Sequence, residues 1–182
     1  MTYLEAINTI LRFIGEYPVD SEDVMYPTVE LIKPALTEQI SSLLIQGWWF
    51  NTHSRRVLQP DAIGQVAVPS DTLACYPVDD TFIWNGSYIA REDGTAPNTA
   101  VTVDLVVDMP FAALPITAKR AAVYAAAYTV YMADFGSDQT SQGLQMQAAA
   151  YFQALSAQHT RTRKYSTKDR QHYQKYLSAL RQ

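Results

Sequence analysis

Apolar residues recur along the first fifty positions at helical spacing. Ile7, Ile10, Leu11 and Ile14 follow the i, i+3, i+4, i+7 rule of a buried stripe, and Thr2 with Glu5 three residues on reads as a capping box. Gly15 supplies a stop and Pro18 prevents resumption, which predicts a helix over about 3–14. An acidic loop, Asp20-Ser21-Glu22-Asp23, follows. Val29, Ile32, Leu36, Ile40, Leu43 and Leu44 then repeat at helical spacing up to Gly47. Pro34 interrupts them, so the expectation is a kinked helix over about 27–46, antiparallel to the first.

From Arg55 to Val107 the period changes from helical to alternating. Strand-like pieces occur around 55–59, 64–68, 72–76, 81–84, 87–91 and 100–107, punctuated by Pro60-Asp61, Pro69-Ser70-Asp71 and Asp93-Gly94. Asn85-Gly86, between Phe82-Ile83-Trp84 and Ser87-Tyr88-Ile89, predicts a hairpin with a type I′ turn. Val101, Val103, Leu105 and Val107 share one strand face, with Thr102, Asp104 and Asp108 on the other. The chain then returns to helix. Pro115 suits a first turn, an Ala-rich helix runs to about Asp134, and Gly136 ends it. Tyr124, Tyr128 and Tyr131 fall at i, i+4, i+7 along it, a seam between helices or between subunits. Ser137 or Asp138 can cap a fourth helix reaching about residue 158.

The predicted class is therefore α+β: a helical bundle from 1–52 and 110–160, with a small antiparallel β domain inserted over 53–109. Gly47-Trp48-Trp49-Phe50-Asn51 is the corner between them. Three consecutive aromatics cannot all point one way along an extended strand, so one is expected under the helices and another in the sheet. A hydrophobic joint is the plain reading of that cluster; a sugar- or base-stacking platform is the other.

Charge adds a third segment. Residues 1–160 carry seven Lys/Arg against seventeen Asp/Glu, whereas residues 161–182 carry seven Lys/Arg and one acid, Asp169. Arg161, Arg163, Lys164, Lys168 and Arg170 lead into Tyr173, Tyr176, Leu177 and Leu180, which share one face of a short helix that Thr167 can cap. Such a helix has little stability alone and gains order by docking. It reads as a basic arm for an acidic surface, a protein or nucleic acid, or as a helix folding back on its own bundle.

Candidate chemistry is sparse. Cys75 is the single cysteine, and the three histidines (His53, His159, His172) have no HExxH spacing, so no metal or cofactor is expected. Neither a GxSxG elbow nor a P-loop occurs. Asp79-Asp80 is a poor glycosidase pair, because neighbouring strand residues project to opposite faces. His53 reads as a loop contact and Cys75 as a small buried residue. No run approaches the ~20 apolar residues of a membrane helix, and the N-terminus lacks a signal-peptide pattern. An acidic body repels phosphates, as would suit a conduit through which DNA slides.

Several short motifs resemble one known family. Asn8-x-Ile10-Leu11-x-x-Ile14-Gly15-Glu16-x-Pro18-Val19 comes first, then Gly47-Trp48-x-Phe50-Asn51 and Leu58-x-Pro60-Asp61. Gly64-x-Val66-x-Val68-Pro69-x-Asp71 follows, and Pro110-Phe111-x-x-Leu114-Pro115 leads into the Ala-rich helix. In order and spacing they are similar to the tail tubular protein A family, the tail adaptors (head-to-tail connectors or gatekeepers) of short-tailed bacteriophages. The region 78–98 departs from that pattern, being shorter and carrying Asn85-Gly86 and Arg91-Glu92-Asp93-Gly94.

The resemblance implies a structural virion protein rather than an enzyme. It implies a homo-oligomeric ring of twelve subunits in the tail, joining portal to nozzle. Double-stranded DNA would pass through without sequence-specific binding, with no membrane involved. On this view the arm docks on the portal and the Asn85-Gly86 loop faces the nozzle. The competing classes are a tail-associated glycan hydrolase, resting on Trp48, Trp49, Trp84 and scattered Asp residues, and a nucleic-acid-binding module acting through 161–182.

Overall fold

The computed structural model describes residues 1–163 of the 182-residue chain. Its architecture is α+β, with four helices and two small antiparallel sheets. Helix α1 (Tyr3–Ile14) begins with the reciprocal cap that its sequence encodes. The Glu5 N–H donates to Thr2 Oγ1 at 3.1 Å, and the Thr2 N–H donates to Glu5 Oε2 at 2.8 Å. Helix α2 (Pro27–Leu44) opens on Pro27 and runs on through Pro34, which has no N–H to give the Glu30 carbonyl. Helices α3 (Ile116–Phe135) and α4 (Gln139–Arg163) follow the sheets.

Helix α3 is central, packing on all three other helices. Its buried face is mostly alanine: Ala118, Ala121, Ala122, Ala126 and Ala127, with Val123 and Val130. Small side chains let the helices approach closely. Ile7, Ile10, Leu11, Ile32, Leu36, Leu44 and Leu155 supply the bulk of this core, each fully buried. Helix α4 is described through Arg163, five residues beyond the end expected from sequence, so residues 161–163 of the basic segment continue it.

Strand β6 (Val101–Val107) lies between β1 (Thr52–Leu58) and β3 (Thr72–Pro77) in one sheet. The second sheet has β5 (Tyr88–Arg91) between β2 (Val66–Ala67) and β4 (Phe82–Trp84). Val101, Val103 and Leu105 face a second core with Val66, Cys75 and Ile89. Val106, on the opposite face, is also buried and sits beside Gly47. In β1 the register slips between His53 and Arg56, and Arg55 there has φ +55° with its N–H bonded to Asp104 Oδ1 at 2.7 Å.

The β4–β5 hairpin exists, but its turn is not type I′. That turn would pair Trp84 with Ser87; the observed pairs are Trp84–Ile89 and Ile83–Ala90. Gly86 takes positive φ and Asn85 does not. Asn85 Oδ1 instead accepts the Tyr88 N–H at 3.0 Å, and the Asn85 N–H donates to the Tyr88 carbonyl at 3.1 Å. A local side-chain bond thus holds a longer loop than the dipeptide alone suggests.

Candidate functional site

The corner between α2 and β1 is built around one buried amide. Gly47 takes φ +72°, where a Cβ would lie 3.1 Å from Val106 Cγ2, so both conformation and space favour glycine. Asn51 is completely buried and all of its side chain's bonds go to backbone. Its Oδ1 accepts the Trp48 N–H at 2.8 Å, and its Nδ2 donates to the carbonyls of Leu44 at 2.9 Å and Val107 at 3.0 Å. The Val107 N–H also donates to the Asn51 carbonyl at 2.9 Å. One side chain therefore ties together the end of α2, the turn and the end of β6. A buried amide with both donors and its acceptor used is the arrangement that a low-dielectric interior requires.

The three aromatics are not divided between helices and sheet as sequence suggested. They lie in a turn, not on a strand, and all pack on the helical core, Trp48 buried and Trp49 and Phe50 partly so. Trp48 Nε1 donates to the Leu43 carbonyl at 2.6 Å, and its ring meets Phe152 of α4 edge-on at 5.5 Å. The Trp49 N–H donates to His159 Nδ1 at 3.0 Å, and the His159 ring lies against Trp48 at 5.6 Å. As acceptor at Nδ1 the imidazole is neutral, and its pKa is lowered first by burial and then by the charge of Arg163. The joint reading of this corner is thus given a mechanism, whereas a stacking platform needs an exposed ring face that Trp48 lacks.

This corner is also where the last described turn of α4 packs. Arg163 Nη1 donates to Ser54 Oγ of β1 at 3.3 Å, and Arg161 is exposed in the same turn. Lys164, Lys168, Arg170, Tyr173, Tyr176, Leu177 and Leu180 lie outside the described residues. Of the tyrosine seam, Tyr124 stacks on Tyr151 of α4 at 5.3 Å and touches Phe13 of α1 at 5.5 Å. Tyr128 is half-buried against the helical core. The Tyr131 hydroxyl donates to Asp138 Oδ2 at 2.7 Å, while Asp138 and Ser141 cap α4 reciprocally. These hydrogen bonds hold the Asp138 carboxyl below the usual range, the Ser141 N–H contributing most.

The remaining candidates are spread out. The Asn85-Gly86 loop is exposed. Asp79 accepts the backbone and hydroxyl of Thr81, at 3.0 and 2.8 Å, and these bonds lower its pKa; it holds a turn rather than facing Asp80. Burial pushes the Cys75 thiol up to about 11. Among the described residues no group of three or more His, Cys, Asp or Glu could hold a metal, and no helix is long and apolar enough to cross a membrane.

The positions that the sequence motifs share turn out to be turn and clamp positions. Asn8 grips Val19 by two bonds, Oδ1 from its N–H at 2.8 Å and Nδ2 to its carbonyl at 2.9 Å, while Glu16 accepts the Thr28 hydroxyl at 2.9 Å. Asp61 Oδ1 accepts the N–H groups of Ile63 and Gln65 around Gly64. At Gly64, φ is +82° and a Cβ would overlap the Asn98 side chain. His159 and Ser54 were not legible as junction residues. Each partner lies more than a hundred residues away, and no spacing rule connects them.

The polar side chains singled out above fasten turns and joints within the chain. Comparison with known proteins gives the chain its family. The family described as "Tail tubular protein" matches residues 4–165. Tail tubular protein A of Klebsiella phage KP34 is 32% identical over 174 residues, covering 92% of this chain and 91% of that protein. The chain belongs to the tail tubular protein family, and it is a structural component of the bacteriophage virion tail, not an enzyme.

Proposed function

We propose that this chain is a ring-forming tail adaptor that joins the portal to the tail nozzle and encloses the DNA channel. The observation that carries the reading is the family match over 4–165, which spans the helices, both sheets and the corner. The helices 1–52 and 110–160 act as the bundle of each subunit, and 53–109 as its inserted β domain. Large apolar side chains left in water, including Tyr17, Met25, Leu31 and Met146, supply surface for neighbouring copies. A ring of twelve is the proposed stoichiometry.

The basic segment is the portal-docking arm. Its first residues, 161–163, continue α4 against the corner, so the helices and the arm are linked through Arg163, His159 and Trp49. The exposed Asn85-Gly86 loop is the proposed nozzle contact. An acid-rich body with seventeen carboxylates over residues 1–160 repels phosphate, and DNA therefore passes without being held. Deletion of 164–182 tests the arm's role: melting of the remaining chain should be retained and attachment to purified portal lost. Attachment at undiminished affinity would refute it.

A further inference from the structure

Three arginines gather where α4 meets β1. Arg163 reaches Ser54 Oγ at 3.3 Å, and Arg55 and Arg56 are the next two residues of β1, exposed on a strand that pairs only with β6. Asp104 is at hand, but its Oδ1 accepts the Arg55 backbone N–H at 2.7 Å. Among the described residues the ion pairs are the Met1 amine with Glu5 and Lys33 with Glu30, so none of the three arginines has a carboxylate partner. Like charges left side by side repel one another and gain by taking an anion. An apolar groove of about 430 Å³ adjoins them, floored by Leu43, Ala121, Ala125 and Ala149 with the partly exposed ring of Phe152 as one wall. Arg163 lies eleven residues beyond Phe152, three turns on along the same face of α4 and about 16 Å away. Among the described residues no charged side chain lines the groove.

The chain carries the complement elsewhere. Residues 13–32 hold five carboxylates and no lysine or arginine. Asp20, Glu22 and Asp23 are exposed without a cation beside them, and they lead directly into Val24, Met25 and Tyr26, with Met25 98% exposed. This segment lies beside Thr2, Tyr3 and Leu4 at the start of α1, whereas the arginines lie between α4 and β1. Within one subunit no ion pair joins the two among the described residues. A patch and its complement on different elements of one chain define a head-to-tail contact, which repeats from copy to copy and can close as a ring. We propose that Arg55, Arg56 and Arg163 of one subunit receive Asp20, Glu22 and Asp23 of the next, with the neighbour's Met25 seated in the groove beside Phe152. Thioether against aromatic ring is a favourable pairing, and the charges fix the orientation of the contact. DNA phosphates would take the arginines but bring nothing for the groove, so a second copy is the better fit to both.

This contact rests on the ring reading and gives it two named faces. The test uses the full chain mixed with portal, with closed rings counted by electron microscopy and each variant's melting first matched to the natural chain's. Arg55→Glu with Arg56→Glu reverses the patch, Glu22→Lys with Asp23→Lys reverses the loop, and Met25→Asp spoils the apolar half. Each alone should make closed rings at least about tenfold rarer. Mixing the two reversed chains in equal amounts should bring rings back to within about twofold of the natural chain, because in an even-numbered ring each reversed patch meets a reversed loop and each natural patch a natural loop. Arg56→Glu with Asp20→Lys, tested in the same way, replaces any pair that lowers melting. Losses that mixing does not restore would mean that the arginines serve another anion, DNA or the portal, and overturn the proposal. Undiminished rings from the reversed chains or from Met25→Asp overturn it while leaving the adaptor reading standing, whereas portal left bare by the natural chain overturns both.

Discussion

Replacing Asn51 with alanine removes the amide that holds the corner, and the structure sets the size of the effect. Three hydrogen bonds are lost, at 2.8, 2.9 and 3.0 Å, from a side chain with no exposure. A net contribution of about 1 kcal/mol each gives about 3 kcal/mol. The Leu44 carbonyl keeps the Gly47 N–H at 3.1 Å, but the Trp48 N–H is orphaned in the buried corner; where water cannot reach it the cost rises toward about 5 kcal/mol. A domain of this size loses roughly 2–4 °C in Tm for each kcal/mol, so a drop of about 6–20 °C is expected. Urea unfolding followed by tryptophan fluorescence reads the same change as a shift in midpoint at unchanged slope. Asn51→Asp should be at least as damaging, since a carboxylate can accept the Trp48 N–H but meets two carbonyls with nothing to donate. A loss below about 0.5 kcal/mol for Asn51→Ala would refute the view that this side chain fastens the corner.

Three other perturbations follow from the same contacts. His159 is held neutral in the folded chain with its pKa below the unfolded value. Its contribution is therefore complete above about pH 6.5 and is lost as pH falls from there through the folded pKa. Melting between pH 7.5 and 5 should fall more steeply for the natural chain than for His159→Gln, and parallel curves would remove the histidine from the account. Gly47→Ala places a Cβ at φ +72° and 3.1 Å from Val106, and should cost about 1–2 kcal/mol in denaturant unfolding; a neutral result would mean the corner relaxes freely. Leu155 is the fully buried anchor of α4, so Leu155→Ala should cost about 2–5 kcal/mol and raise hydrogen exchange along α4 first. Uniform loss of protection across all helices would instead mean that α4 is not separable from the rest.

Much of the fold is written in local pattern. Thr2 with Glu5, Gly15 and Pro27 mark helix ends by chemistry that acts within four residues, and the apolar stripes of α1 and α2 reappear as the buried core. What was not legible depends on distant partners. The helix expected to reach about residue 158 continues at least to Arg163, where contacts with Trp49 and Ser54, more than a hundred residues away in sequence, hold it. The three aromatics were read as extended chain, but the Asn51 amide curls them into a turn, and that bond needs Val107, fifty-six residues away. The β4–β5 turn misled for the opposite reason: Asn85 uses its side chain on Tyr88 instead of its capacity for positive φ. The motifs that carry the family resemblance are legible as letters, whereas their roles as clamps on Val19, on the turn at Gly64 and on the corner depend on partners brought together by the fold.

The central claim is that copies of this chain assemble into a ring on the portal. Electron microscopy of the purified chain mixed with portal tests it directly. The account predicts closed rings of this chain stacked on one face of the portal, twelve subunits each, around an open channel continuous with the portal's own. Portal particles that remain bare at saturating chain, with this chain unassembled beside them, would contradict it.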